Sequence, residues 1–313
     1  MAWETPLIVI TGPTCSGKTS LALRLAGNHP IEVISADSMQ VYRYMNIATA
    51  KPTEKESSIL PHHLIDVINP DEKFNAGMFV KMAGEKIEDI RARSKIPMIV
   101  GGTGLYIKAL VYGLCEAPPG VERYRHIFYT LIEKKGLPHL YKALLKMDPD
   151  IAEKITPKDE PRIIRALEVL FLTGKRPSTI QKAHGFSTPL HDIKIACLLP
   201  DRGELYARID SRVIKMMEAG LIEETCGLIA MGYHPGLRSM KGLAYKHVAE
   251  FLSSGISMEE AVRLIRRDTR RYAKRQITWF KGQTDIHFFD GPDKAYPAIN
   301  KWLTKDENSI QNI

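Results

Sequence analysis

Short apolar runs separated by polar, turn-forming stretches set the pattern of the first part of the chain. Residues 7–10, 31–34, 64–68 and 97–100 are too short for buried helices and rich in branched apolar side chains, which predicts four strands. Between them apolar positions recur at helical spacing: over 20–26, over about 75–93 (Phe79, Met82, Ala83, Ile87, Ile90) and from 105 to 111. Strands alternating with helices predict an α/β fold, a parallel sheet with helices on both faces, and ligands at the carboxyl ends of its strands.

The pattern changes at Ala117-Pro118-Pro119-Gly120, a break in both periodicities. From about 121 to 179 the sequence reads as helix with no β run. It returns to the first pattern near 185–189, with a strand at 193–199. Asp201 and Glu204 have capping-box spacing ahead of a long helix from about 205. Helices continue to about 281, residues 286–289 form a last strand, and 305–313 are expected to be a frayed tail. These boundaries predict a core domain from 1–117 and 190–313, interrupted by an all-helical insertion domain over 118–189.

The first strand leads into Gly12-Pro13-Thr14-Cys15-Ser16-Gly17-Lys18-Thr19, a complete P-loop. Glycines let such a loop curl so that backbone N–H groups converge on an anion, and the following helix adds its positive end. Lys18 is placed to reach outer phosphates and Thr19 to ligate Mg²⁺. Proteins that transfer a γ-phosphoryl group usually carry a second apolar strand ending in an acid. The strand at 97–100 runs instead into Gly101-Gly102-Thr103-Gly104, with no carboxylate. That argues against ordinary nucleotide hydrolysis.

At 313 residues, 44% hydrophobic and 26% charged, the composition is that of a globular protein. No apolar run approaches the roughly 18–20 residues of a membrane span. The first residues lack a signal-peptide pattern, and four scattered cysteines without a C-x-x-C pair read as reduced thiols. A cytoplasmic location is expected. Net charge is +8, of which residues 263–281 carry +7. On a helix Arg263, Arg267, Arg271 and Arg275 lie beside Arg266, Arg270 and Lys274 as one stripe, with Ile265, Tyr272, Gln276 and Phe280 facing the core. So one-sided a charge favours contact with a polyanion over a merely solvated face, and makes Arg271, Lys274 and Arg275 candidate nucleic-acid ligands.

Several further phrases stand in order: ISADSMQVY (34–42), TAKP (49–52), HHLID (62–66), VGGTGLY (100–106), RALEV (165–169), RIDSR (208–212) and AKRQITWF (273–280). With the P-loop they resemble the tRNA dimethylallyltransferase (isopentenyltransferase) family, over nearly the whole chain. The resemblance implies a P-loop NTPase-like core and transfer of a dimethylallyl group from dimethylallyl diphosphate to N6 of the adenosine 3′-adjacent to the anticodon, with release of pyrophosphate. The implied partners are the tRNA anticodon stem-loop, dimethylallyl diphosphate and Mg²⁺, with no membrane, and a monomer is expected. The basic stripe then has a polyanionic substrate to meet.

Residue roles follow from the match. Asp37 stands where the family has its general base, although an N-cap or an outer role around Mg²⁺ would also suit a carboxylate there. Arg212 matches an arginine that approaches the phosphates; a surface helix arginine is the plainer alternative. Lys18, Thr19 and Arg212 would share the charge of the leaving group. Ser38, Met39 and Gln40 match the stretch that meets the target nucleotide, and Thr103 a contact to RNA and active site. Pro161, Arg162, Ile163, Ile164 and Arg165 match an RNA-contact segment; Arg165 equally fits a salt bridge within its helix, and Arg125 is a further candidate. The adenine must leave its stack to be reached, and a loop is where RNA sequence can be read.

The chain departs from the family in two places. At 240–247 Ala244 and His247 replace a usual Gly and Glu, which puts a tRNA contact there in doubt. No Cys/His zinc-finger extension follows AKRQITWF, as in short bacterial forms. The competing readings are an adenylate dimethylallyltransferase, a P-loop metabolite kinase and a non-catalytic RNA-binding module. The basic stripe and insertion speak against the first, the missing acid after Val100 against the second, and an intact Lys18, Thr19 and Asp37 against the third.

Overall fold

The computed structural model describes residues 6–186 and 188–304; the tail expected at 305–313 lies outside the described residues. The chain divides into two compact units, Met1–Val111 with His191–Ile313, and Tyr112–Leu190. The first unit opens with β1 (Leu7–Thr11), α1 (Lys18–Ala26), β2 (Ile31–Ser35), α2 (Glu54–Ile59), β3 (His62–His63), α3 (Ala76–Ala92), β4 (Ile96–Val100) and α4 (Gly104–Tyr112). The second holds α5 (Glu122–Lys135), α6 (Leu137–Met147), α7 (Pro149–Ala152), α8 (Glu160–Thr173) and α9 (Pro177–His184). The chain then returns to the first unit as β5 (Ile193–Leu198), α10 (Arg202–Glu218), α11 (Leu221–Ala230), α12 (Leu243–Leu252), α13 (Met258–Lys281), β6 (Ile286–Phe289) and α14 (Pro292–Leu303).

The six strands form one sheet in the order β3-β2-β4-β1-β5-β6, parallel at every pairing. β1 lies inside it, with Val9 beside Ile99 on one side and Ile195 on the other. β1 and β2 are buried at every position, which requires cover on both faces. Ile8, Ile10, Met98, Val100, Ala196 and Leu198 pack with α1 and α14. α3 packs against β2 and β4 through a buried row that includes Phe79, Ala83, Ile87 and Ile90. Each strand releases its chain at the same sheet edge, so the P-loop, the loop after β2 and the turn after β4 start side by side. The helical unit has its own core around Phe128, Leu140, Leu144, Ile163 and Leu167. No helix among the described residues is long and apolar enough to cross a membrane.

Two local expectations fail for physical reasons. The strand expected at 64–68 is absent. Leu64 and Asp66 take left-handed backbone conformations (φ 61° and 56°), so β3 stops at His63 and only Ile68 makes an isolated bridge, to Tyr42. The capping box at Asp201 is half formed. Asp201 accepts from the amides of Gly203 (2.7 Å) and Glu204 (3.1 Å), and the helix begins at Arg202, while Glu204 pairs with Arg208 one turn on. α14 lies outside the helices expected above because of its two prolines, yet Pro292 sits in its first turn, where a missing N–H costs little, and Ala295, Ile299 and Leu303, at helical spacing, anchor it to the core.

One buried carboxylate fastens the sheet to α3. Glu32 on β2 accepts from Arg93 through both oxygens (Nη2 at 2.8 Å), and His63 Nε2 lies 2.7 Å away. The Arg93 hydrogen bond holds the Glu32 carboxyl at about 2, below its ordinary 4.5. A depressed carboxyl stabilises the fold above its unfolded value and loses that contribution as the pH falls from about 4.5 through about 2. Glu32→Ala should therefore cost about 1–3 kcal/mol in urea unfolding at neutral pH. The gap to wild type should narrow on acidification; a gap independent of pH would remove the ion pair as its cause.

Candidate active site

The P-loop wraps a space just beyond β1. Gly12 adopts φ +136°, and a Cβ there would stand 2.4 Å from the Leu198 carbonyl of β5, so no other residue fits the curl. Inside it the Lys18 ammonium donates to the carbonyls of Gly12 (3.1 Å) and Pro13 (2.7 Å). Burial lowers Lys18 to about 8, against the pull of the Asp37 carboxylate, which acts to raise it. Ser16 Oγ is buried with no hydrogen-bond partner among the described residues, as an orphaned donor awaiting an anion would be.

Three other elements close on the loop. From α10, Arg212 Nη1 donates to Thr14 Oγ1 at 3.1 Å and to Cys15 Sγ at 3.6 Å, so it is a loop-facing arginine and not a surface one. From α13, the buried Gln276 carboxamide accepts from the Thr14 amide at 2.9 Å and donates to the Gly102 carbonyl at 2.9 Å. The turn after β4 presses on the chain after β2: a Cβ on Gly101 would lie 2.2 Å from the Ala36 carbonyl.

Asp37 begins the loop after β2. Its Oδ1 accepts from the amides of Met39 (2.8 Å) and Gln40 (3.3 Å), which fixes the carboxylate and leaves Oδ2 without a partner among the described residues. Thr103 Oγ1 accepts from the Ser38 amide at 3.0 Å. Gln40 accepts from Ser35 Oγ and donates to the carbonyls of Thr49 and Ala50, so it braces the loop. Asp37, Ser38, Met39 and Gln40 share with the P-loop and Arg212 one cavity of about 1030 Å³. Its remaining wall is mostly apolar, with Val213, Met216, Leu243, Ala244 and Ile265. Tyr272 also lines it; burial and the Asp37 carboxylate push its hydroxyl well above the ordinary value.

The sequence does not reveal what holds that wall. Glu224 on α11 accepts from the amides of Asn46 (2.8 Å) and Ile47 (2.9 Å) and from the Tyr245 hydroxyl (2.6 Å), tying the 46–48 loop to the divergent 240–247 segment. Tyr245 is buried, and His247 is 3% exposed, with Nδ1 2.9 Å from Glu250 and Nε2 2.9 Å from Asp268. His247 thus joins α12 to α13 and offers no surface to a partner. Neither link has a local signal, since the partners lie 20 or more residues apart.

The cationic candidates separate. Arg271, Lys274 and Arg275 are exposed on α13. The stripe is less one-sided than its count implies: Arg263 pairs with Glu260, Arg270 with Asp210 of α10, and Arg267 and Arg271 with Asp268. In the helical unit Pro161 and Arg162 are exposed. Ile163 and Ile164 are 0% and 3% exposed and belong to that unit's core, which corrects the expectation that their side chains reach RNA. Arg125 and Arg165 both bind Glu168, a fully buried carboxylate that also accepts from the Val121 amide. Each remains partly exposed at its outer edge.

Fold and site together define a protein of the P-loop NTPase-like fold, with a phosphate cradle, a fixed carboxylate and an apolar wall around one cavity. The family described as IPP transferase matches residues 40–283, and the one described as Isopentenyl transferase matches residues 5–66. The chain belongs to the tRNA dimethylallyltransferase family. It is 46% identical to tRNA dimethylallyltransferase 2 of Geotalea uraniireducens over 94% of this chain and 95% of that one. It is 45% identical to tRNA dimethylallyltransferase 1 of Syntrophotalea carbinolica, over 91% of each. Among solved structures, the tRNA isopentenylpyrophosphate transferase of Bacillus halodurans aligns with a TM-score of 0.69 at 37% identity, covering 96% of both chains. A eukaryotic dimethylallyltransferase acting on tRNA aligns at 0.77 and 30% identity, over 91% of this chain and 74% of that one.

Lys18 is charged below its own pKa and neutral above it. Affinity of the free protein for a diphosphate, followed by calorimetry, should therefore fall as the pH rises through about 8. A profile flat from about one unit below that value to about one unit above it would mean that the Lys18 charge does not hold the ligand.

Proposed function

We propose that this protein transfers the dimethylallyl group of dimethylallyl diphosphate to N6 of the adenosine 3′-adjacent to the anticodon of tRNA, releasing pyrophosphate. The observation that carries the reading is the joining of P-loop, Asp37 and apolar wall in one cavity, with no carboxylate at the end of β4. A diphosphate ester of a short hydrocarbon needs both surfaces: N–H groups and cations for the phosphates, and an apolar wall for five carbons.

The reaction breaks the bond from the allylic carbon to oxygen and forms one from that carbon to N6. The electron pair of the broken bond leaves with pyrophosphate. Lys18, Arg212 and the P-loop amides take up the growing oxygen charge, which is where a preorganised site gains most. Asp37 receives the proton that N6 gives up; its two amide contacts aim the free oxygen without using it. Met39, two residues on, lines the cavity where an extruded adenine would enter. Among the described residues no group of three or more His, Cys, Asp and Glu could hold a metal by itself. The Thr19 hydroxyl and the diphosphate oxygens would hold a Mg²⁺, which would neutralise charge on the departing pyrophosphate.

The exposed faces of Arg271, Lys274 and Arg275 supply cations for the RNA backbone, and in the helical unit Arg162 and the outer edges of Arg165 and Arg125 supply more, with the exposed Pro161 an uncharged contact beside them. An anticodon stem-loop is the RNA element such a protein would grip, and a single copy of the chain carries the whole cavity.

Incubation with labelled dimethylallyl diphosphate, Mg²⁺ and either tRNA or AMP tests the reading. Label in tRNA supports it, whereas label only in AMP would move the activity to a free nucleotide. Asp37→Ala should lower kcat by about 10²–10⁴-fold with tRNA affinity kept. An equal loss of tRNA affinity would make Asp37 a binding residue.

A further inference from the structure

α10 and α13 enclose a second concavity that shares no residue with the catalytic one. The catalytic cavity takes Ile265, Thr269, Tyr272 and Gln276 from α13. The other, of about 860 Å³, takes Val262, Arg266, Arg270 and Lys274 from a different face of the same helix, and Arg202 and Tyr206 from α10. Six arginines and one lysine line it against a single glutamate, Glu259.

The cations here are arranged as well as numerous. Tyr206 lies beneath two guanidinium groups, with Arg202 5.1 Å and Arg270 5.5 Å from its ring centre, and its hydroxyl accepts from Arg202 Nε at 3.1 Å. Arg270 is further fixed by Asp210. Arg202, Arg266 and Lys274 have no acidic partner among the described residues, and Arg266 Nε is buried with no hydrogen-bond partner among them at all. A buried guanidinium nitrogen without an acceptor is costly, and Arg266 itself lines the groove, where its charge has no acidic partner among the described residues. Rigid, forked donors suit phosphate oxygens better than a compact ammonium does. From Arg263 to Lys274 the cations extend about 16 Å at 1.5 Å per residue, more than one phosphate or pyrophosphate group bridges.

We infer that this groove binds successive phosphates of an RNA backbone, as an anchoring site set apart from the reacting nucleotide, with Arg202, Tyr206 and Arg266 as its unassigned members. The inference rests on the RNA substrate proposed above. A grip on a different face of α13 from the catalytic cavity holds the substrate without touching the chemistry, so its loss appears in affinity and KM and not in kcat.

The test compares wild type with Arg202→Gln, Arg266→Gln and the double variant. A control, Lys294→Gln with Lys301→Gln on exposed positions of α14, removes the same charge elsewhere. Binding of labelled tRNA is followed by fluorescence anisotropy over a KCl series. The double variant should bind about 10-fold or more weakly and lose about 1.4–1.8 from the salt slope, two phosphate contacts. KM for tRNA should rise while kcat at saturation and affinity for inorganic pyrophosphate at the P-loop stay at wild-type values, and the control should match wild type. An unchanged tRNA affinity and slope in the double variant, or an equal loss in the control, overturns the groove alone when wild type still modifies tRNA. Loss of ATP or pyrophosphate binding with RNA binding intact would make its occupant a small polyphosphate and overturn the RNA assignment. A wild type that neither binds nor modifies tRNA takes down the proposed function and the groove together.

Discussion

The Gln276 carboxamide is the joint on which the site depends. A phosphate cradle made of amides works only if its amides are held in place before the ligand arrives. Here one amide of that loop is fixed by a side chain from a helix near the far end of the chain, whose other half holds the turn after β4. The same turn, through Thr103, fixes the Asp37 loop. A displacement of α13 therefore moves the cradle, the turn and the base loop together. α13 also carries the exposed cations, so the helix proposed to meet RNA on its outside sets the spacing of the reacting groups on its inside.

The P-loop here serves a different end from the one its motif first suggests. In phosphoryl transfer the cradle holds a group whose phosphorus is attacked, and an acid at a neighbouring strand end helps position the metal. In the proposed reaction phosphorus is a bystander and carbon is attacked. The cradle needs only to accept charge as the ester oxygen departs. Lys18, Arg212 and the amides around Thr14 meet that need, and the space an acid would fill at the end of β4 is given to Gly101, where chain passes against chain.

Much of this could be read along the sequence, and the rest has identifiable reasons for staying hidden. The P-loop was legible because its chemistry is local: every amide and the lysine come from eight consecutive residues. The sheet was legible because buried parallel strands are apolar throughout. The strand expected at 64–68 failed because its apolar pattern is real but its backbone turns left-handed at Leu64 and Asp66. Gln276 was placed on the inward face of its helix, yet its two partners lie in other parts of the chain that no periodicity connects. Glu224 and His247 are invisible for the same reason. The arginine count of α13 overstated its free charge, because Asp210 and Glu260, which neutralise part of it, fall outside the basic run. In the helical unit, Ile163 and Ile164 sit in a stretch that resembles a contact segment, but helical geometry turns two of its five side chains inward.

The distances along the chain that separate the site's parts also set a schedule. The partners of Thr14 are Gln276, 262 residues later, and Arg212, 198 residues later. β1 is flanked by β4 and by β5, and β5 follows the whole helical unit. At roughly 5–20 residues per second on a ribosome, the first loop of the protein waits roughly 10–50 s for the helix that shapes it. Thr14 gains both of these contacts only when nearly all of the protein has been made, so the last-made helices complete the first-made loop.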